Sequence, residues 1–141
     1  MKFNEDSRVK IPAILHCMRL GYEYISLKDS DTAIDKETNI FIDIFQKSLS
    51  EINPGCNEKE VKKALNELSL TLGNEDLGKS FYERLTRKSG LRIINWDKFH
   101  QNVFNVVTEL TYRNGDDEFR PDITLLINGL PLVFIEVKKP N

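Results

Sequence analysis

Residues 120–141 read RPDITLLINGLPLVFIEVKKPN, and this stretch predicts two apolar strands joined by a tight turn. The Asn128-Gly129 pair supplies the turn signal, because both residue types accept the positive φ angles of short hairpin loops. Asp122 stands near the start of the first strand, while Glu136 and Lys138 follow the apolar run of the second. The stretch therefore brings carboxylates from two strands to the open end of one hairpin.

The register of this hairpin decides whether the two carboxylates meet. A two-residue turn would pair Asp122 with Ile135 and leave Glu136 on the opposite face of the hairpin. A three-residue loop from Asn128 to Leu130, or an equivalent bulge, would pair Asp122 with Glu136. Pro131 cannot donate a ladder hydrogen bond, so it suits an irregular point beside the turn. The sequence therefore predicts the odd-length loop or a bulge.

The residue types at the open end of the hairpin suit phosphodiester hydrolysis. A divalent cation polarises the phosphate and lowers the pKa of the attacking water, and Mg²⁺ prefers one or two carboxylates with water elsewhere. Asp122 and Glu136 are the candidate ligands, and Val137 points inward while its backbone carbonyl is a candidate third ligand. Lys138 lies on the same strand face as Glu136, where it can orient water and offset charge on the phosphate. The alternative is that these charges are only a solvated strand end.

The patterning upstream of the hairpin changes from helical to extended near residue 90. The helices are predicted over 12–20, 40–52, 57–72 (with an Asn57–Glu60 capping box) and from an Asn74 cap to about 89, with Leu77 facing inward. Extended segments are predicted at 22–25, 91–94 and 103–112, and 113–119 is predicted as a loop. Helices first and an antiparallel sheet last predict an α+β fold. We expect a single domain over 1–141, with a helical part of about 1–90 and a sheet of about 91–141.

The composition is that of a soluble globular domain, with 40% hydrophobic and 30% charged residues in a chain of 141. The net charge of −2 gives no overall basic field, so contacts with DNA must be local. Arg120 and Lys139 flank the candidate site and are either phosphate contacts or solvated charges. Trp96 is assigned to packing, because no other aromatic residue repeats beside a basic cluster. The two cysteines are too few for a disulfide framework, and there is no signal peptide or membrane span, so we expect a cytoplasmic protein.

The segment FRPDITLLINGLPLVFIEVKKP, residues 119–140, closely resembles the nuclease region of the restriction (R) subunits of type I restriction-modification enzymes. That family shows an Arg-Pro-Asp strand, an Asn-Gly-x-Pro-Leu turn and a Glu-x-Lys-x-Pro ending. Residues 102–109 resemble the family's preceding strand, and Glu5 with Arg8 is similar to its N-terminal acidic element.

The resemblance implies a restriction-endonuclease-like fold of the PD-(D/E)xK type, which is a central mixed sheet flanked by helices. It also implies Mg²⁺-dependent cleavage of double-stranded DNA after ATP-driven translocation. Asp122 and Glu136 then become metal ligands, Lys138 becomes the catalytic lysine, and Glu5 is a further acidic contributor. The implied partners are double-stranded DNA and the modification and specificity subunits, with no membrane.

The family's pattern continues beyond the last residues of this sequence into a motor. Residues 1–141 contain no Gly-x-x-x-x-Gly-Lys-Ser/Thr phosphate loop, so ATP would act only through missing motor domains. We therefore expect an N-terminal fragment, truncated at its C-terminus, with weak or no activity of its own. Two alternatives remain: a non-catalytic module of the same fold that docks DNA or the other subunits, and a stand-alone nuclease of the same superfamily.

Overall fold

Four α-helices and six β-strands make up the fold in this computed structural model, which describes residues 6–138 and side chains from residue 8 onward. The helices are α1 (Ile11–Arg19, continuing a π-helical turn at Asp6–Lys10), α2 (Ile42–Ile52), α3 (Glu58–Leu72) and α4 (Lys79–Thr86). The strands are β1 (Glu23–Ile25), β2 (Phe104–Thr108), β3 (Tyr112–Asn114), β4 (Asp117–Phe119), β5 (Ile123–Ile127) and β6 (Leu130–Ile135). Within residues 6–138, no helix has the length and hydropathy needed to cross a membrane.

The main sheet is mixed and has the strand order β1-β2-β5-β6. β1 runs parallel to β2, whereas β2, β5 and β6 form an antiparallel meander. Successive strand residues point to opposite faces, so Val106 packs with Cys17 of α1 while Val107 packs with Phe41, which precedes α2. A third cluster joins α2, α3 and α4 to Leu130 of β6. This arrangement confirms the predicted α+β class and the mixed sheet flanked by helices.

The helix predictions that rest on neighbouring residues are confirmed in α1, α2 and α3. The capping box at the start of α3 is present: Glu60 N donates to Asn57 Oδ1 at 3.0 Å, and Asn57 N donates to Glu60 Oε2 at 2.8 Å. In α2, Phe45 and Leu49 are one turn apart and fully buried. Pro12 occupies the first turn of α1, directly after the π-helical turn at Asp6–Lys10.

The predicted start of the fourth helix is wrong. The helix begins at Lys79 and not after Asn74, because a turn at residues 77–78 intervenes. Asp76 fixes that turn: its carbonyl accepts from Lys79 N at 3.2 Å, and its carboxylate accepts from Ser80 N at 3.0 Å. Leu77 takes a φ of +55° in the turn and is fully exposed, so the prediction that it faces inward is also wrong.

The strand predicted at residues 91–94 is absent. Ile93 and Ile94 are buried as expected, but side-chain amides satisfy the backbone of this segment in place of a neighbouring strand. Asn53 Oδ1 accepts from Arg92 N at 2.7 Å and Asn53 Nδ2 donates to Arg92 O at 2.8 Å. Asn128 Nδ2 donates to Ile93 O at 3.0 Å. These bonds hold the apolar run in the core without a ladder.

The long strand predicted at 103–112 is broken at Glu109, which has a φ of +58°. The chain turns there because Leu110 is buried in the core and Asn39 Nδ2 donates to Thr111 O at 2.9 Å. The segment predicted as a loop, 113–119, belongs mainly to the separate β3–β4 ribbon. The ribbon thus contains the end of the predicted strand and most of the predicted loop.

The β5–β6 hairpin has the register that the candidate site requires. Its turn contains two residues, Asn128 and Gly129, so the three-residue loop was wrong. The predicted alternative, a bulge, is present: Leu126 pairs with Pro131 but Leu125 pairs with Val133. The extra residue in β6 shifts the register by one, and a one-residue shift exchanges the faces of all later side chains.

The turn of this hairpin is seated against the start of α2. Gly129 O accepts from Phe41 N at 2.9 Å, and a Cβ on Gly129 would lie 2.6 Å from Phe41 O and 3.0 Å from Phe45 N. The φ of Gly129 is also +80°, which disfavours any residue with a side chain. Glycine is therefore required here both by backbone conformation and by space.

We predict that Gly129→Ala lowers the free energy of unfolding by about 3 kcal/mol or more, because strain and a backbone clash add together. Gly115→Ala is the matched control: its φ is +63°, but no atom lies within 4 Å of the added Cβ. That control should lose only about 1–2 kcal/mol. Urea unfolding of both variants measures the difference, and equal losses would show that close packing at Gly129 contributes nothing.

Candidate active site

Asp122 and Glu136 come directly after the last pair of the ladder, at the open end of the hairpin. Ile123 pairs with Ile135, so the next residues outward, Asp122 and Glu136, share the next position of the register. Asp122 Oδ2 accepts a hydrogen bond from Val137 N at 2.9 Å, and this bond holds the two chain segments together beyond the ladder. The ladder ends at Ile135, one residue before the predicted ligand Glu136.

The predicted alternation at the end of the hairpin is present. Val137 is buried and packs with Ile123 and Ile135 on the α1 side of the sheet. Glu136 and Lys138 are exposed. Because neighbouring residues alternate between faces, the two charged side chains belong to the face opposite Val137.

An aromatic wall borders that face of the sheet. Tyr112 of the ribbon packs edge-on against Phe134 of β6 with ring centroids 4.8 Å apart, and Phe119 lies 6.0 Å from Phe134. Burial raises the pKa of Tyr112 to about 12, so its phenol is neutral at physiological pH. The hydroxyl donates to Thr124 Oγ1 at 3.4 Å, two residues from Asp122. The carboxylates therefore lie beside a neutral, largely apolar surface.

Glu109 is a third carboxylate at this end of the sheet, and the sequence analysis missed it. Thr108 pairs with Ile123, and Glu109 N donates to Asp122 O at 3.3 Å, so the backbone of Glu109 follows the end of β2 directly beside Asp122. Its side chain contacts the largely buried Lys10, whose Nζ donates to Glu109 Oε1 at 3.2 Å. This hydrogen bond and the Lys10 charge lower the pKa of Glu109, with a further effect from Arg120. Extending the register count from β5 to β2 would have identified it.

The remaining predicted residues divide into two groups. Arg120 is exposed and close enough for its charge to act on Glu109, so it lies on the rim of the candidate site. Glu5 and Lys139 lie outside the described residues.

The oxygen donors at this end fit a hard cation better than a soft one. Among the described side chains, residues 8–138, no group of three or more His, Cys, Asp or Glu is placed to hold a metal ion by itself. The hairpin offers two carboxylates and the backbone carbonyl of Val137. This donor set suits Mg²⁺, which keeps several waters, and not zinc, which favours nitrogen and sulfur. Asp122 still has acceptor capacity after its bond from Val137, since each carboxylate oxygen has two lone pairs.

Comparison with known proteins assigns the chain to a family. Residues 2–141 match the family described as type I restriction enzyme R protein N terminus. The chain belongs to this family. A putative type I restriction enzyme MjaIXP endonuclease subunit from Methanocaldococcus jannaschii is 28% identical over 99% of this chain and 16% of its own length. The putative MjaVIIIP and MjaVIIP endonuclease subunits of that organism are 39% and 36% identical over 35% and 38% of this chain, and 5% of their own lengths.

Membership in the R-protein family confirms the resemblance carried by residues 119–140. It identifies the chain as an R-protein N-terminal region, whose relatives are named as endonuclease subunits. The chain spans about one sixth of the first relative, which leaves the activity of the whole protein to be proposed from the site.

We predict that Glu109→Gln lowers the free energy of unfolding by about 1 kcal/mol at neutral pH, a small effect because the pair is partly solvent-screened. The pKa of Glu109 is lowered by folding, so its contribution is present above its unfolded pKa and is lost as the pH falls through its folded pKa. The difference from wild type should therefore shrink from pH 7 towards pH 4. Urea unfolding at several pH values measures it, with the exposed Glu51→Gln on α2 as control. A difference that grows in acid would contradict the assignment.

Proposed function

We propose that this domain hydrolyses phosphodiester bonds of double-stranded DNA at the open end of the β5–β6 hairpin, in a Mg²⁺-dependent reaction. The fold is then a restriction-endonuclease-like, PD-(D/E)xK domain. The observation that carries the proposal is the bulge in β6, because its register, continued one position past the Ile123–Ile135 pair, aligns Asp122 with Glu136. Without that register shift, Glu136 would lie on the face occupied by Val137.

Three residues carry the proposed chemistry. Asp122 and Glu136 would hold the cation together with the backbone carbonyl of Val137. When bound, Mg²⁺ supplies a Lewis acid and lowers the pKa of a coordinated water. The ammonium of Lys138 orients the attacking water and donates a hydrogen bond to a phosphate oxygen, whose negative charge increases in the transition state.

The surroundings of these residues support their roles. The bond from Val137 N fixes the Asp122 carboxylate, so less side-chain freedom is lost when a ligand binds. Lys10 forms an ion pair with the neighbouring Glu109 and so offsets one negative charge at this end of the sheet. Arg120 on the rim supplies a fork suited to phosphate oxygens.

The domain is proposed to work as part of a larger R protein. In that protein, ATP-driven translocation by motor domains would deliver DNA to the hairpin, and modification and specificity subunits would be its partners. The coverage of only 16% of the first relative supports this view, since most of that relative lies outside the matched region.

The test uses the full-length R protein assembled with its modification and specificity subunits. We expect Lys138→Ala to reduce plasmid cleavage by about 100-fold or more, as loss of a transition-state hydrogen bond does elsewhere. ATP hydrolysis by the same assembly should stay within about twofold of wild type. Removing magnesium cannot replace this test, because the ATPase also requires it.

Two further variants sharpen the result. Asp122→Asn removes the charge but keeps an oxygen that can accept from Val137 N, so it should abolish cleavage while the fold survives. Lys62→Ala, an exposed lysine on α3, is the control for loss of a positive charge. If Lys138→Ala and Asp122→Asn both cleave normally, the domain is a docking module and the catalytic proposal is wrong.

A further inference from the structure

An open groove of about 600 Å³ lies between α4 and the segment leading to β2, away from the candidate active site. Its lining is aromatic and basic: Tyr82, Thr86, Arg87, Lys88, Arg92, Trp96 and Asp97. Trp96 stacks on Phe99, which packs against Phe104, the first residue of β2. The candidate active site lies beyond the last residue of β2. The groove and the candidate active site are therefore separated by the strand's length, about 16 Å at ~3.3 Å per residue.

The groove is positively charged although the chain as a whole is not. Arg87, Lys88 and Arg92 face one carboxylate in the lining, that of Asp97. The net charge of the entire chain is −2. Arg92 contacts Asp97 at 3.0 Å and Arg87 contacts Glu67 at 3.5 Å, whereas Lys88 is an exposed lysine at the end of α4. This local excess of cations favours an anionic ligand.

The indole ring of Trp96 is held in place in the groove and is partly exposed to solvent. The indole N–H donates to Leu85 O at 2.9 Å, and the ring stacks on Phe99 at a centroid distance of 5.7 Å. Even so, 48% of Trp96 is exposed, and Tyr82 beside it is 66% exposed. With the N–H bonded within the chain and one ring face against Phe99, the exposed part of Trp96 is apolar ring surface that a ligand can contact. From the sequence alone Trp96 is predicted to pack, and the fold adds aromatic and basic neighbours beside it.

We propose that this groove binds single-stranded nucleic acid. Phosphates contact Arg87, Lys88 and Arg92, and one unstacked base lies against Trp96. Cations along a groove with an aromatic ring are the chemistry that binds single strands without sequence preference. A base inside a duplex is covered on both faces by its neighbours, so double-stranded DNA cannot use the ring in this way.

The test uses the fluorescence of Trp96, which is the only tryptophan in the chain and therefore reports on this groove alone. The chain is titrated with a short oligothymidylate, with the matching duplex and with inorganic polyphosphate. We expect the single strand to quench the emission, with much weaker effects from the duplex and polyphosphate. If all three cations contact phosphates, a fourfold rise in salt should weaken binding roughly 20-fold.

Charge reversal locates the binding. Lys88→Glu should weaken the single-strand affinity at least about fivefold, whereas Lys59→Glu, the same charge change on the distant start of α3, should leave it unchanged. Asp122→Asn, which disables the proposed cleavage, should also bind normally, so the two proposals can fail independently. The inference is overturned if the oligonucleotide leaves the emission unchanged, if polyphosphate quenches equally, or if both lysine variants weaken binding equally. A response to the duplex alone would likewise contradict it.

Discussion

The contact between the Asn128-Gly129 turn and the start of α2 is the constraint on which the rest of the structure depends. Gly129 fits against Phe41 and Phe45 with no room for a side chain. Asn128 is fully buried, and its side chain joins three segments: Oδ1 accepts from Val103 N at 2.8 Å, and Nδ2 donates to Ile93 O at 3.0 Å and Asn102 Oδ1 at 2.9 Å. A buried amide with its donors and acceptor satisfied in this way fixes one arrangement of its neighbours, because every alternative leaves a polar group unpaired.

The same turn fixes the register of the hairpin that carries the candidate site. With the turn anchored at one end, the bulge in β6 determines which β6 residue faces Asp122 at the other. Burial of Val137 in the α1 cluster then turns Glu136 and Lys138 outward. The proposed chemistry thus depends on two packing contacts, one at each end of a single hairpin.

The two proposed sites use opposite ends of the sheet and different electrostatics. At the open end of the hairpin, the acidic residues Glu109, Asp122 and Glu136 stand next to the ends of β2, β5 and β6, and Lys10 compensates the charge of Glu109. At the other end, Arg87, Lys88 and Arg92 surround Trp96. A chain with a net charge of −2 can contact nucleic acid only through such local separation of charge, since its overall field repels phosphate.

The sequence by itself determined the features that depend on neighbouring residues: the Asn57–Glu60 cap, the inward position of Val137, the need for an irregular hairpin and the R-protein family. Tertiary contacts decided the rest. Asn53 bonds to the backbone of Arg92, 39 positions away, in place of a strand partner. Lys10 bonds to the side chain of Glu109, 99 positions away, and the end of α4 brings basic residues close to Trp96. Side-chain amides and charges at such separations satisfy backbone groups and carboxylates in ways that local periodicity does not encode. The sequence therefore proposed Asp122 and Glu136 as candidate ligands, and only the fold revealed the neighbouring carboxylate of Glu109 and the aromatic groove.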